Sequence, residues 1–395
     1  INKINPKTKY NWKRVNNPVT YSILIWVIYC FLELFNPQSV SSQAWYTGAR
    51  GMSLYFIIIF ILSILIINDY KKVKAILFIW SILTIIAFIK VYIQKNYGFD
   101  IAEKKWLYVD GGARTHIIYS GIRYFSFFND ASTFGFSMAF SIVVFIVSAF
   151  GKISLKYKIY YIIVSLIALY SMFQSGTRVA LIIPFIGIST YLFLSKRIRT
   201  VLIFGGILVF MFVFFKYTYI GQGNSNIRRA RTAFNPSKDA SYLVRLENQK
   251  KMKAYIADKP FGIGIGLSAG RAQRYGSYTK LSELPTDSWL VLVWIETGNV
   301  GLCLYIGLLL FILVYCAYII MFKLKNKELR QHMMGLYGGI AGMMIAAYAN
   351  EAFTQFPNGF IVYIGLAMIS LSPYFDKEIE EKEQKLYYSV RERIN

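Results

Sequence analysis

Histidine and cysteine are scarce in this chain. Two histidines, His116 and His332, and three cysteines are spread over 395 residues, too few and too isolated for a metal site built on them. Cys30, Cys303 and Cys316 all fall within apolar runs and form no zinc or disulfide pattern, so they are expected to pack between helices. Acidic residues are few as well: 20 Asp and Glu face 44 Lys and Arg, a net charge of +24. Only 16% of the chain is charged while 56% is hydrophobic, which excludes an ordinary soluble domain. Nucleic acid is not the partner this charge points to, because in a membrane protein Lys and Arg collect in cytoplasmic loops beside anionic headgroups. There is no Walker loop to hold a nucleotide. The first residue is Ile, so the numbering is expected to begin inside a longer chain, with further helices upstream.

What the chain does have is long apolar runs. They lie near residues 20–36, 51–67, 74–91, 133–150, 159–174, 179–195, 201–215, 299–322, 334–349 and 359–371. A membrane-spanning helix needs about 20 apolar residues, so the sequence predicts an all-α, polytopic transmembrane bundle of about ten helices. The last run is short and must extend back across Pro357 or forward through Pro373. The loops "NDYKKVK", "GKISLKYK", "SKRIR" and "KLKNKELRQH", the opening segment and the mixed-charge tail fall on one side of an alternating topology. Their excess of Lys and Arg makes that side cytoplasmic. The chain therefore divides into N-terminal transmembrane helices over 1–216 with an outer loop near 92–132, a large outer loop over 217–287 carrying short helices, C-terminal helices over 288–372, and a cytoplasmic tail over 373–395.

The large outer loop carries twelve basic residues against five acidic ones. Its charge has no topological cause, and an anionic ligand is the natural one. Within it, Asp239 or Ser241 can cap a helix over 241–258 that Pro260 stops. Gly262, Gly264 and Gly266 follow no buried strand, so a backbone turn approaching a ligand or a helix explains them better than dinucleotide binding. Arg178, in "SGTR", is either a snorkelling anchor or a functional charge at a helix end. Arg123 precedes a helix that either Asp130 or Ser132 caps, and Arg245 sits early in the loop helix. These three arginines converge on the outer face, where a guanidinium fork suits phosphate oxygens better than an ammonium does. Asp287 and Glu296 sit at the outer start of the next helix, and a carboxylate at membrane depth marks a functional candidate. Glu33, Glu351 and Lys90, near other helix ends, read as structural.

The order and common side of these stretches resemble the O-antigen ligase and O-antigen polymerase family of bacterial membrane glycosyltransferases. The likeness covers roughly residues 115–365: "RYFSFFND", "SGTR", the long loop with "R…DKPFGIGIG", "WIETGNVGL" and a late "FP" turn. It implies a metal-independent, cofactor-free, inverting transfer from an undecaprenyl-pyrophosphate-linked glycan donor. The enzyme would be a multi-pass protein of the bacterial inner membrane with its site facing the periplasm. Arg178 and Arg245 match the family's functional arginines and would hold the pyrophosphate, with Arg123 beside them. The acceptor would be a growing glycan in a polymerase, or lipid A core or protein in a ligase; membrane lipids and a chain-length regulator are the other implied partners.

One departure matters. Where ligases of the family usually carry a His-Asn pair, this chain has Thr286-Asp287, leaving Asp287 or Glu296 as the base. That tilts the reading toward a polymerase of O-antigen, capsule or exopolysaccharide. A flippase of lipid-linked cargo would predict charges deep in mid-helix and a visible repeat. Here charges fall mainly at helix ends, and no repeat is visible.

Overall fold

The computed structural model describes residues 10–118, 121–196, 198–232, 234, 240–268, 270, 273, 281 and 283–394. They form helices α1 (Pro18–Leu32), α2 (Ser42–Ala49), α3 (Tyr55–Ile66), α4 (Tyr70–Asn96), α5 (Ile101–Tyr108), α6 (Ala113–His116), α7 (Ala131–Ala149), α8 (Leu155–Gln174), α9 (Ile182–Ser195), α10 (Ile198–Tyr217), α11 (Ser225–Thr232), α12 (Ala240–Ile256), α13 (Trp289–Tyr318), α14 (Lys327–Ala346) and α15 (Asn358–Ile394). The strand content is one short antiparallel pair, Ile117–Ile118 with Gly121–Ile122. Each of the ten apolar runs falls on a helix, and among the described residues eight helical stretches are long and apolar enough to cross a membrane. The chain is an all-α multi-pass bundle.

Local chemistry sets the helix starts. Asn17 caps α1 with Pro18 at its first position, Asp69 caps α4, and Asn326 caps α14. The last run continues forward: α15 passes through Pro373, so the expected tail is its helical extension. The run at 299–322 begins earlier than its hydropathy suggests, at Trp289, because Ser288 caps α13 there.

The centre of the bundle is α7, whose side chains are almost all buried between α8, α9 and α14. The glycine-rich "GLYGGIAG" of α14 makes this contact possible. A Cβ on Gly338 would come 2.6 Å from the Gly187 carbonyl of α9, and one on Gly342 would come 2.6 Å from that of Ile183. Close backbone approach gives van der Waals packing where lipid supplies no hydrophobic drive between helices.

The two ends of the bundle differ. At one end the basic segments meet: Arg14 Nη1 donates to the Asn68 carbonyl (3.1 Å), Lys74 pairs with Glu328 (3.5 Å), Arg330 reaches the Leu194 carbonyl (3.3 Å), and Lys325 N bonds Asp376 (3.0 Å). At the other end the loop after α4, the turn after α8 and the segment joining α10 to α13 come together. The sides drawn from the sequence are therefore the two ends of one bundle.

Candidate active site

The site is built around one turn. After α8, Ser175, Gly176 and Thr177 reverse the chain, with Gly176 at φ +59°, and Arg178 opens the short 3-10 helix Arg178–Leu181. Thr177 Oγ1 donates to the Ala131 carbonyl (3.0 Å), which ties the turn to the start of α7. Arg123 grips the same turn from the opposite side. Its Nε donates to the Ser175 carbonyl (3.3 Å), Nη1 to the Thr115 carbonyl (3.0 Å), and Nη2 to both Ser132 Oγ and Thr177 Oγ1 (3.0 Å each). Four bonds commit most of its five donors to protein. Arg123 therefore fixes the frame. Burial holds its guanidinium below the ordinary arginine value; Asp130 pulls it back up, while neighbouring Arg178 and Arg245 push it down.

That mutual influence places the three predicted arginines together. Arg178 is half-buried and donates from Nη1 to Thr232 Oγ1 (3.0 Å) at the end of α11. A fourth guanidinium, Arg229 of α11, packs over Gly176 and lines a shallow cleft with Gly176, Thr177, Arg178 and Asn226. Nothing in the local pattern singles out Arg229 from Arg228 and Arg231. Arg228 reaches the Gln222 carbonyl (2.9 Å), and Arg231 is buried against the Ile220 carbonyl and the Phe214 ring. α11 itself was not anticipated; α12 was, and it ends two residues early, at Ile256. The cap candidate Asp239 and the side chain of Ser241 lie outside the described residues, as do Lys238, Arg271, Arg274 and Lys280.

Arg245 projects from α12 across the site. Its Nη1 donates to the Ala349 carbonyl (3.1 Å) and its Nε lies 3.8 Å from Asp287 Oδ2. Asp287 adopts φ +48° just before α13, and its side chain remains 44% exposed, so it is open to an incoming molecule. Beside it Thr286 Oγ1 bonds Glu351, and Trp289 N donates to the Ala347 carbonyl (3.1 Å), clamping the start of α13 to the end of α14. Asp130 proves to be the cap of α7: Oδ1 accepts from Ser132 N (2.5 Å) and Thr133 N (3.1 Å). Thr133 Oγ1 also donates to Gln355 Oε1 (2.7 Å), which brings the "FP" turn to the same basin.

Glu296 does not join this group. It is fully buried, and its Oε1 accepts from Ser268 (2.5 Å). The reason is a break in α13 at Gly298, φ +68°. The break strips helical partners from the carbonyls of Ile295 and Glu296 and from Val300 N. The "PFGIGIG" loop supplies replacements: Ile263 N and Gly264 N donate to those carbonyls (3.0 Å each), and Val300 N donates to the Pro260 carbonyl (3.2 Å). The three glycines thus approach a helix, and Gly262 has no room for a Cβ, which would come 2.5 Å from Gly298 N. Of the residues read as structural, Lys90 pairs with Asp100 and Glu103 (2.8 Å each) and Glu33 accepts from Asn36 (2.8 Å), whereas Glu351 stands at the site, bonded to Thr286.

Among the described residues no group of three or more His, Cys, Asp or Glu side chains is placed to hold a metal. The arrangement is a cationic wall of guanidiniums from four chain segments, with one accessible carboxylate on its rim. It can bind a doubly charged oxyanion and accept a proton beside it.

Residues 163–306, which carry Arg178, Arg229, Arg245, Asp287 and Glu296, match the family model described as O-antigen ligase. The chain is also 24% identical over 330 residues to the teichuronic acid biosynthesis protein TuaE of Bacillus subtilis (strain 168), an alignment covering 81% of this chain and 64% of that protein. The resemblance drawn from the sequence agrees with both matches, on a chain whose helices are those of a multi-pass membrane protein; the chain spans less than two thirds of the length of that relative.

Proposed function

We propose that this O-antigen ligase-type chain is a glycan polymerase that joins lipid-pyrophosphate-linked oligosaccharide units at the outer face of the membrane. The observation that carries the reading is the convergence of Arg178, Arg229 and Arg245 on a frame held by Arg123, with Asp287 exposed beside Arg245. Arg178 and Arg245 hold the two phosphates of the donor. An acceptor sugar hydroxyl attacks the anomeric carbon from the face opposite the pyrophosphate, and its proton passes to Asp287. The new glycosidic bond forms as the bond to the pyrophosphate oxygen breaks, and the electron pair leaves with that oxygen. The guanidiniums stabilise the charge growing there, and binding both sugars in register supplies much of the acceleration. Inversion follows from the single displacement. Glu296, enclosed behind Ser268, positions the loop and takes no proton from the acceptor.

The ligase reading stands as the second, because the matching family model carries that description. The polymerase is favoured because Thr286 and Asp287 occupy the place of the His-Asn pair, Thr286 bonding Glu351 and Asp287 facing Arg245. The test is electrophoresis of surface and lipid-linked glycans in a strain producing Arg178→Ala or Arg245→Ala at normal protein level. A polymerase predicts collapse of the ladder to single repeat units, with a rate loss of ~10²–10³-fold. A ladder of normal length stranded on the lipid carrier identifies a ligase, and an unchanged surface ladder in both variants refutes the arginine clamp.

A further inference from the structure

The opposite end of the bundle holds a second cavity that the glycan chemistry does not use. It has a volume of about 400 Å³ and is lined by Lys74, Lys152, Ser154, Tyr161, Glu328 and His332, among others. It lies among the basic segments, at the far end from the arginine turn. His332 is 1% exposed; its Nδ1 meets the Tyr70 hydroxyl at 2.9 Å, and its Nε2 has no hydrogen-bond partner among the described residues. A buried polar nitrogen left in this way is costly unless a ligand or water meets it.

Three further features of this cavity favour a negative ligand. Ser154 stands at the N-terminus of α8, a helix of 20 residues, and its side chain makes no capping bond, so the first N–H groups of the helix keep their donor capacity. Lys152 forms no ion pair among the described residues, and Lys74 is held at the rim by Glu328 at 3.5 Å. Glu328 is the one carboxylate in the lining; it orients Lys74 and leaves the ammonium of Lys152 in excess. The Tyr70 hydroxyl stands between Nδ1 and the Glu328 carboxylate, and Nε2 is the ring nitrogen left to meet a ligand. Phe78 and Tyr157, both exposed, place the opening where a headgroup would lie.

We infer that this cavity is an oxyanion site for a phosphate group, bound between the start of α8, the two lysines and His332. Such a group comes either from a soluble phosphate compound or from the headgroup of an anionic lipid. The inference does not rest on the glycan-transfer reading.

The chain's two histidines make the test local, since His332 reports on this cavity and His116 lies beside Arg123 at the other end. The experiment is ring-¹⁵N histidine NMR of the full chain, titrated with inorganic pyrophosphate in detergent and, separately, reconstituted in phosphatidylglycerol or phosphatidylcholine nanodiscs. A saturable shift of the His332 signal with pyrophosphate assigns a soluble phosphate compound. A shift in phosphatidylglycerol alone assigns the lipid headgroup. In either case Lys74→Gln with Lys152→Gln should weaken the response at least tenfold, and Lys325→Gln, at the same end but outside the cavity, should leave it unchanged. A His332 signal unmoved by every ligand, or one that moves equally in the lysine double variant, overturns the site. A response of His116 alone reports only the arginine basin, and so separates failure of this inference from failure of the proposed function.

Discussion

Asp287 and Glu296 are nine residues apart in sequence, yet they occupy unlike surroundings. Asp287 is exposed beside a guanidinium, whereas Glu296 is enclosed with one hydroxyl donor. Asp287→Asn keeps the shape and removes the proton acceptor, so turnover should fall ~10²–10³-fold with the melting temperature unchanged. Glu296→Gln keeps an oxygen for Ser268 and should leave turnover within a few-fold; equal losses in the two variants would place the base elsewhere. His116 offers a second test at this scale. Burial, helped by Arg123, pushes its imidazole from an ordinary 6.5 to about 4, and its Nε2 accepts from Ala131 N at 3.0 Å, which only the neutral ring can do. Between those two pH values the unfolded chain binds the proton and the folded chain does not. The contribution of His116 is therefore fully present above 6.5 and is lost as pH falls toward 4. A ring-nitrogen titration should show its midpoint near 4. His116→Gln should flatten the fall of melting temperature across that interval, and a midpoint near 6.5 would contradict the buried, neutral assignment.

Among the elements, α13 and the loop before it act as one unit. Gly298 sits at φ +68°, and a Cβ there would run into the Pro260 carbonyl. Gly298→Ala should therefore cost roughly 2–4 kcal/mol through strain and lost loop docking. Gly307→Ala, on the same helix with open space around it, should be neutral or slightly stabilising. Comparing the two melting curves in detergent isolates the docking, and similar curves would mean that the break is not held by the loop. This break also shows what a sequence conceals. "WIETGNVGL" continues an apolar run, so it reads as unbroken helix, and the carbonyls it frees are matched only by a loop some thirty residues earlier. The spans were legible because twenty apolar residues have few other uses. Arg178 and Arg245 stood out because they fall in the stretches that carry the resemblance, "SGTR" and the start of the loop helix. Arg229 was not, since three arginines stand within 228–231 and only the fold sends Arg231 into the Phe214 ring and Arg229 over Gly176. The pairing of Thr286 with Glu351 spans 65 residues and two helices, a distance over which no local pattern carries information.

For the whole molecule, the charge distribution makes a claim that its parts do not. Both ends are basic, but for different reasons. Lysines dominate the end where short loops join the helices, as orientation in a bilayer demands. Arginines mark the other end, where a long segment joins two helices and guanidiniums meet around a turn. If the lysine end faces the cytoplasm, the arginine end faces the outer side, where the proposed polymerisation is set. Two exposed lysines test this directly: Lys250 on α12 and Lys325 between α13 and α14. In a background carrying Cys303→Ser, since Cys303 is the exposed one of the three, a single cysteine replaces each in turn. A membrane-impermeant maleimide added to intact cells, with any outer membrane opened, should label Lys250→Cys strongly. Lys325→Cys should react only after lysis. The reverse pattern would turn the molecule over and leave the arginine site facing the cytoplasm, where the outer-face polymerisation proposed here could not take place.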